Sequence, residues 1–207
     1  MNWSSYGAFL AFATVLALIP GPDFAVVTKN TLAGGRRRGV WCSAGVSLSA
    51  ALQGGAAATG LGILITQVQP VFQAVKWAGV LYLVYLGVQT LRSAVRGYYR
   101  PITGDGTAAA ARGGWREGFL SNITNPKVLM FYLAVLPQFI TPDAGLFVLL
   151  LFALSHAVLA LICLLVVVAI LDRVRVVLSR HAVRRALDAV IGTALLGFGA
   201  RLATEGT

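Results

Sequence analysis

Charged residues are scarce in this sequence, and acidic residues are the scarcest of them. Of the 207 residues only 12% are charged and only 7 are Asp or Glu, whereas 57% are hydrophobic. Soluble globular domains carry about a quarter charged residues, so this composition excludes a protein whose main solvent is water. The sequence therefore predicts a protein that resides in a lipid bilayer.

Cysteine and histidine are also rare, which restricts metal and redox chemistry. Cys42 and Cys163 lie in separate apolar runs, without the spacing of a zinc site or of a disulfide framework. Soft metals need Cys or Met and harder metals need clustered carboxylates or His, while a redox conduit needs paired reactive cysteines. We therefore predict two buried, inert thiols, no metal site, no cofactor and no enzymatic activity.

Basic residues dominate the few charges, and the formal net charge is +10. They lie between apolar blocks rather than along one folded face, so nucleic acid is not expected as a partner. The first basic residue is Lys29, which follows an apolar stretch already long enough to span a bilayer. A cleavable signal peptide would begin with Lys or Arg, so residue 1 onward is expected to belong to the mature protein.

Six apolar stretches reach the length of about 20 residues that a membrane span requires. They are residues 4–28, 39–66, 70–91, 118–140, 144–171 and 187–203. Between the third and fourth stretches, residues 93–117 are rich in Gly, Ala and Arg and predict a flexible connector. The chain is thus expected to form one all-α transmembrane domain over residues 1–207, with three-helix repeats at 1–92 and 118–207.

The distribution of Lys and Arg among the loops predicts an orientation. The first, third and fifth loops are rich in these residues, whereas the second and fourth offer only Lys76 and the acidic Asp143. Because cytoplasmic loops carry the excess of Lys and Arg, we expect six crossings, a cytoplasmic connector and two extracytoplasmic termini. A re-entrant first segment, with five crossings and an internal amino terminus, remains an alternative.

Prolines interrupt the first stretch of each half, at Pro20 and Pro22 and at Pro126. A proline frees backbone carbonyls that hydrocarbon cannot satisfy, so such a break must lie beside protein or water. Because each half has three spans, the second must enter the membrane inverted, and matched breaks then bring half-helix amino ends to the membrane centre. The sequence therefore predicts a 3+3 inverted-topology repeat with proline-broken helices 1 and 4 around a polar cavity.

Two charged residues directly follow these prolines, Asp23 after Pro22 and Lys127 after Pro126. A charge at the membrane centre costs about 2.5 to 3.5 kcal/mol, so such groups are partnered or functional. Asp23 could instead cap a helix or pair with Lys29 at the interface, and Lys127 could extend to a surface.

Two further polar residues lie within apolar stretches. His156 could relay a proton, because its unperturbed pKa is near neutral, or it could be a hydrogen-bonded packing residue. Gln53 continues a stripe of small and polar residues at steps of four, and it is the candidate for facing the cavity. Helix packing is the alternative reading of that stripe.

Six short motifs together resemble the LysE/RhtB family of bacterial amino-acid exporters. They are PGPDF at 20–24, GRRRG at 35–39, KWAGVLYLVYLGVQTLR at 76–92, NPK at 125–127, LPQF at 136–139 and D-x-x-x-G-x-x-L-x-x-x-G from Asp188 to Gly199. They occur in family order across nearly the whole chain, and NPK and LPQF resemble the homoserine, threonine and leucine branch. Ser49 departs from the pattern, because it stands where the family resemblance leads us to expect glycine.

The resemblance implies a secondary active exporter of amino acids or close derivatives in the cytoplasmic (inner) membrane. It implies an amino-acid substrate exchanged for protons; whether the protein is a monomer or a homo-oligomer remains open. A metal or other small-solute exporter of the same superfamily is the alternative. Carried over onto this sequence, the substrate-binding residues are Pro20, Gly21, Pro22, Asp23, Asn122, Asn125, Pro126 and Lys127. Asp23 or His156 would couple the proton, and Lys127 would hold the substrate carboxylate.

Overall fold

The fold is all-α, as predicted, throughout the part of the chain that the structure describes. The computed structural model describes residues 3–19, 21–60, 69–96, 107–125, 128–129, 131–140, 144–174 and 180–204. Within these ranges there are six α-helices and no strand. They are α1 (Trp3–Leu18), α2 (Pro22–Ala58), α3 (Gln69–Arg96), α4 (Ala108–Ile123), α5 (Leu146–Arg173) and α6 (His181–Thr204). Between α4 and α5 the chain forms a π-helical turn, Phe131–Val135, followed by a 3-10 turn, Leu136–Phe139.

Helix α2 is sharply kinked at Gly35, where φ is 74° and ψ is −174°. That backbone conformation is accessible to glycine and is costly for other residues. A straight helix of 37 residues would extend about 55 Å, far more than the roughly 30 Å of hydrocarbon in a bilayer. The kink therefore divides α2 into a short first part, residues 22–34, and a longer second part, residues 36–58, with the three arginines just after it.

Helix α2 is the centre of the packing, because it contacts α4 and α5 most extensively and also contacts α6. Helices α3 and α6 pair with each other, and α1 packs against α5. The interior contains two apolar clusters. One joins α2, α3 and α6 around Val26, Leu86 and Leu195, and the other joins α1, α5 and the π-helical turn around Phe9 and Phe152.

On the outer surface of α5, every fourth residue from Leu154 to Ile170 is apolar and exposed. Leu154, Val158, Ile162, Val166 and Ile170 are each about half exposed, and they form one stripe along the helix. The opposite face of α5 is buried against α1 and α2. An exposed apolar stripe of this length is expected where a helix contacts lipid rather than water.

Segments of α3, α5 and α6 are long and apolar enough to cross a membrane. They are Trp77–Arg96, Leu146–Arg173 and Ala182–Thr204. Helices α1 and α2 meet the same criterion as a pair, with an angle of 55° between them. The helix α1 ends at Leu18 and α2 begins at Pro22, while Pro20 itself lies outside the described residues. Six crossings and the inverted repeat therefore remain predictions.

The predicted connector is shorter than its composition indicated. Helix α3 continues to Arg96, and α4 begins at Ala108, where the Thr107 hydroxyl accepts a hydrogen bond from the Ala110 amide at 3.2 Å. Residues 108–117 are therefore helical. Glycines there read as loop residues in the sequence, but Gly114 lies directly against the Arg38 backbone, and small residues allow such close helix contact.

Candidate functional site

A cavity of about 70 Å³ lies between the start of α2, the end of α4 and the middle of α5. Its polar lining comes from Asp23, Asn122, Asn125 and His156. The remaining side chains are almost all apolar, from Leu16, Ala17, Ile19, Pro22, Phe24, Val46, Ala50, Val128, Phe131, Ala160 and Leu164. Among the described residues the cavity thus has one polar wall in an otherwise apolar surrounding, an arrangement typical of small-molecule sites.

Asp23 is the centre of the polar wall, and three neutral groups donate hydrogen bonds to its carboxylate. Asn122 Nδ2 donates to Oδ2 at 2.9 Å and Asn125 Nδ2 donates to the same oxygen at 3.3 Å. Ser121 Oγ donates to Oδ1 at 3.4 Å. These three hydrogen bonds fix the carboxylate at the cavity wall.

The local sequence explains why Asp23 lies at a helix start. Gly21 is extended, with φ −151° and ψ −170°, and Pro22 occupies the first helical position. Proline fits there because its missing N–H would have no partner in the first turn, and a carboxylate in that turn is favoured by the helix dipole. The motif PGPDF therefore begins a helix and places an acid beside the cavity.

Asn122 and Asn125 lie where the chain stops one helix and begins another turn. Helix α4 ends at Ile123, and Thr124 follows it as the cap. The Asn125 carbonyl then accepts hydrogen bonds from the amides of Val128 at 3.1 Å and Leu129 at 3.4 Å. Both asparagine side chains are consequently held at an interruption, facing the start of α2.

Gln53 approaches the cavity from behind Asn122. Its Nε2 donates to the Asn122 backbone oxygen at 2.8 Å and to Asn122 Oδ1 at 3.1 Å. With the Asn122 oxygen engaged in this way, the Nδ2 group of the same amide is directed to Asp23. Gln53 therefore positions the asparagine, and it reaches the cavity wall through this residue.

His156 lines the cavity from α5, and its Nδ1 atom lies 2.8 Å from the Tyr132 hydroxyl. The Phe131 ring lies against the imidazole, with 4.3 Å between ring centroids. The Tyr132 hydroxyl also lies 3.3 Å from the Ala153 carbonyl, to which it can donate. His156 is thus a fixed, buried ring at the cavity wall, in accord with either of its two expected roles.

Five of the eight predicted substrate-binding residues line this one cavity: Gly21, Pro22, Asp23, Asn122 and Asn125. They come from two stretches about 100 residues apart in sequence. Pro20, Pro126 and Lys127 fall outside the described residues, so the assignment of the substrate carboxylate to Lys127 stays a prediction. Across the described residues there is no group of three or more His, Cys, Asp or Glu that could hold a metal ion.

Sequence reasoning missed a second polar site, which is centred on Glu117 of α4. Lys29 Nζ lies 3.0 Å from Glu117 Oε2, and Arg38 Nη2 lies 2.8 Å from Oε1. Asn30 Nδ2 donates to Oε2 at 3.1 Å, and its Oδ1 accepts from Arg38 Nε at 2.6 Å. These four residues are called the Glu117 cluster below. Its signal was present in the sequence, because Glu117 is one of only 7 acids and stands one helical turn before Ser121.

Comparison with known proteins places the chain in a family. A family model described as LysE type translocator matches residues 14–206. A leucine efflux protein of Klebsiella pneumoniae is 30% identical, and the match covers 97% of this chain and 95% of the relative. A leucine efflux protein of Salmonella typhimurium is 26% identical over the same shares. An uncharacterized membrane protein, YrhP, of Bacillus subtilis is 27% identical, over 93% of this chain and 95% of the relative.

No solved structure matches the fold. The family match covers nearly the whole length and includes both stretches that build the cavity wall. It agrees with the multi-pass membrane character of the helices. The chain belongs to the LysE type translocator family.

Proposed function

We propose that this protein exports neutral amino acids with small or apolar side chains across the cytoplasmic membrane in exchange for protons. The observation that carries the proposal is the carboxylate of Asp23, which accepts hydrogen bonds from Asn122 and Asn125 at a cavity whose other described lining residues are largely apolar. The ammonium group of the substrate would bind Asp23, and its side chain would lie among residues such as Phe24, Val46 and Phe131. The printed names of the leucine efflux relatives support the same substrate class.

Exchange follows if a proton and an ammonium group compete for the same carboxylate. A bound substrate must leave before Asp23 can be protonated, and the proton must leave before another substrate binds. One charge that crosses the membrane yields about 2.3 kcal/mol per 100 mV, which supports about fiftyfold accumulation. His156, fixed by Tyr132 at the same cavity, is the second candidate for carrying the proton.

The transport cycle would use the inverted repeat expected from the sequence. Two interruptions support it. Helix α1 ends at Leu18 before α2 begins at Pro22, and after the end of α4 the Asn125 carbonyl accepts the first hydrogen bonds of a new turn. In this proposal the cavity lies between the two halves, and Lys127 binds the substrate carboxylate. The excess of Lys and Arg in alternate loops supports a cytoplasmic connector and extracytoplasmic termini.

Transport into everted membrane vesicles tests the proposal. An imposed proton gradient, with the vesicle interior acidic, should drive the uptake of labelled leucine, threonine or homoserine. Arginine should be excluded, because its guanidinium would have to enter the apolar part of the cavity without a partner. A protonophore should abolish the uptake. If no amino acid accumulates in a gradient-dependent manner, although the protein is present in the membrane, the proposed export is wrong.

A further inference from the structure

Glu117 joins the two parts of α2 across the kink at Gly35. Lys29 and Asn30 precede the kink, and Arg38 follows it, yet all three contact the same carboxylate at 2.8 to 3.1 Å. Helix α3 contributes as well, because Lys29 Nζ donates to Gln89 Oε1 at 3.2 Å. The cluster therefore ties the two parts of α2 to α4 and, through Lys29, to α3.

The Glu117 cluster lies beyond the cavity along the same helix pair. On α2, Lys29 is six residues after Asp23, and on α4, Glu117 is five residues before Asn122. These separations correspond to about 9 Å and 7.5 Å along the helix axes. The α2–α4 interface thus has two polar levels, one at the cavity wall and one closer to the arginines that follow the kink.

The two helices are in direct backbone contact beside the second level. A Cβ atom at Gly118 would overlap the Cys42 carbonyl, and one at Gly45 would overlap the Trp115 carbonyl. Such contact leaves no passage between the helices. A route from the cavity to this end of the protein along the α2–α4 interface therefore requires the two helices to separate, and the Glu117 ion pairs must break when they do.

The ion pairs suit a contact that forms and breaks. The side chains of Lys29, Arg38 and Glu117 remain 12%, 25% and 22% exposed, so they are only partly removed from water. Desolvation offsets much of the attraction between such charges, and water that entered an open passage would hydrate each of them. The closed arrangement is then favoured modestly, whereas the loss of Glu117 alone would leave two cations facing each other.

We propose that the Glu117 cluster is the cytoplasmic gate of the transporter, which holds the cavity closed at this end and separates to admit substrate. The proposal rests on the proposed export and on the orientation expected from Lys and Arg. Glu117 acts here through the position of α2, and it is not assigned any contact with the substrate.

Thiol labelling of the cavity tests the gate without any transport measurement. The background carries Cys42→Ala and Cys163→Ala, and Ala160→Cys places one thiol at the cavity wall. A membrane-impermeant thiol reagent is added to everted vesicles, which present the cytoplasmic face, and to right-side-out vesicles. Glu117→Gln keeps the shape of the side chain but loses its charge, so the labelling rate in everted vesicles should rise by about tenfold.

Arg38→Gln and Arg36→Gln form a matched pair of controls on the same helix. Arg38 bonds Glu117, whereas Arg36 is exposed, so only the former should raise labelling in everted vesicles. Glu117→Asp retains the charge and should stay close to the parent. Right-side-out vesicles should show no increase for any of these variants.

Several results would overturn the gate. These are unchanged labelling in both Glu117→Gln and Arg38→Gln, an equal rise from both faces, or an equal effect of Arg36→Gln. The labelling does not depend on which solute is carried. A rise in labelling in the Glu117→Gln and Arg38→Gln variants, together with no amino-acid uptake by the parent protein, would therefore refute the proposed substrate and leave the gate standing. Normal uptake by the parent protein without a rise in labelling in these variants would refute the gate and leave the proposed substrate standing.

Discussion

The substitution Asp23→Asn separates the charge of Asp23 from its structural contacts. The oxygen of the new amide can accept from Asn122 and Asn125, as Oδ2 does now at 2.9 and 3.3 Å. Its NH₂ group can donate to Ser121 Oγ, because a hydroxyl can accept as well as donate. These three hydrogen bonds therefore persist, and we expect the free energy of unfolding to change by less than about 1 kcal/mol.

The substitution should weaken substrate binding and transport much more than it lowers the free energy of unfolding. A hydrogen bond to a charged partner contributes about 1.5 to 3 kcal/mol, which corresponds to a 10- to 150-fold weaker apparent affinity for the ammonium group. Coupling to the proton should disappear, because an amide does not titrate. Asp23→Ala, which leaves the three donors without this acceptor, should in addition lower stability.

Initial rates of labelled leucine uptake into everted vesicles, measured against substrate concentration and with and without a proton gradient, check this prediction. Thermal unfolding of the purified protein in detergent checks that the fold persists. Asp172→Asn is the control, because it removes the same charge near the end of α5, outside the cavity lining. Gradient-driven uptake by Asp23→Asn within about twofold of the parent would refute the role given to this carboxylate.

Two further predictions concern the surroundings of the cavity. Tyr132→Phe removes the hydroxyl that lies 2.8 Å from His156 Nδ1. The substitution should lower the free energy of unfolding by about 1 kcal/mol and change the pH profile of uptake. An unchanged pH profile would exclude His156 from proton transfer. Gly118→Ala should cost about 1 to 3 kcal/mol, because its Cβ would overlap the Cys42 carbonyl, whereas Gly113→Ala, whose Cβ meets nothing within 4 Å, should be neutral or stabilising. Detergent melting curves of the two glycine variants compare them directly, and equal destabilisation would contradict the proposed close contact.

The start of the cavity wall was predictable from sequence because its signals are local. Proline and glycine before Asp23 are incompatible with a continuing helix, and an acid after them is incompatible with lipid. The same reasoning applies to Asn122 and Asn125 beside Pro126. We expected these two stretches to face each other because of the inverted repeat, which itself stays a prediction, and the structure brings Asp23 and Asn122 into direct contact.

The scarcity of acids marks Glu117 in the sequence, but its partners in the Glu117 cluster could not be predicted in this way, because they depend on packing between distant segments. Glu117 stands in a stretch whose glycines and arginines resemble a connector, and only in the structure does Gly114 gain a packing role, through its contact with Arg38 of α2. For Gln53, a spacing of four residues indicated one helix face, yet spacing carries no information on the partner. Its bonds to Asn122 were therefore seen only in the structure.

The apolar stripe along α5 implies that the two sides of one helix tolerate change differently. Leu154, Val158, Ile162, Val166 and Ile170 adapt to fluid acyl chains, which accept any aliphatic shape, so exchanges among Leu, Ile, Val and Met should pass unnoticed there. On the reverse side, His156 and its buried neighbours meet fixed protein surfaces. Positions that tolerate such exchanges should consequently recur about every fourth residue along α5.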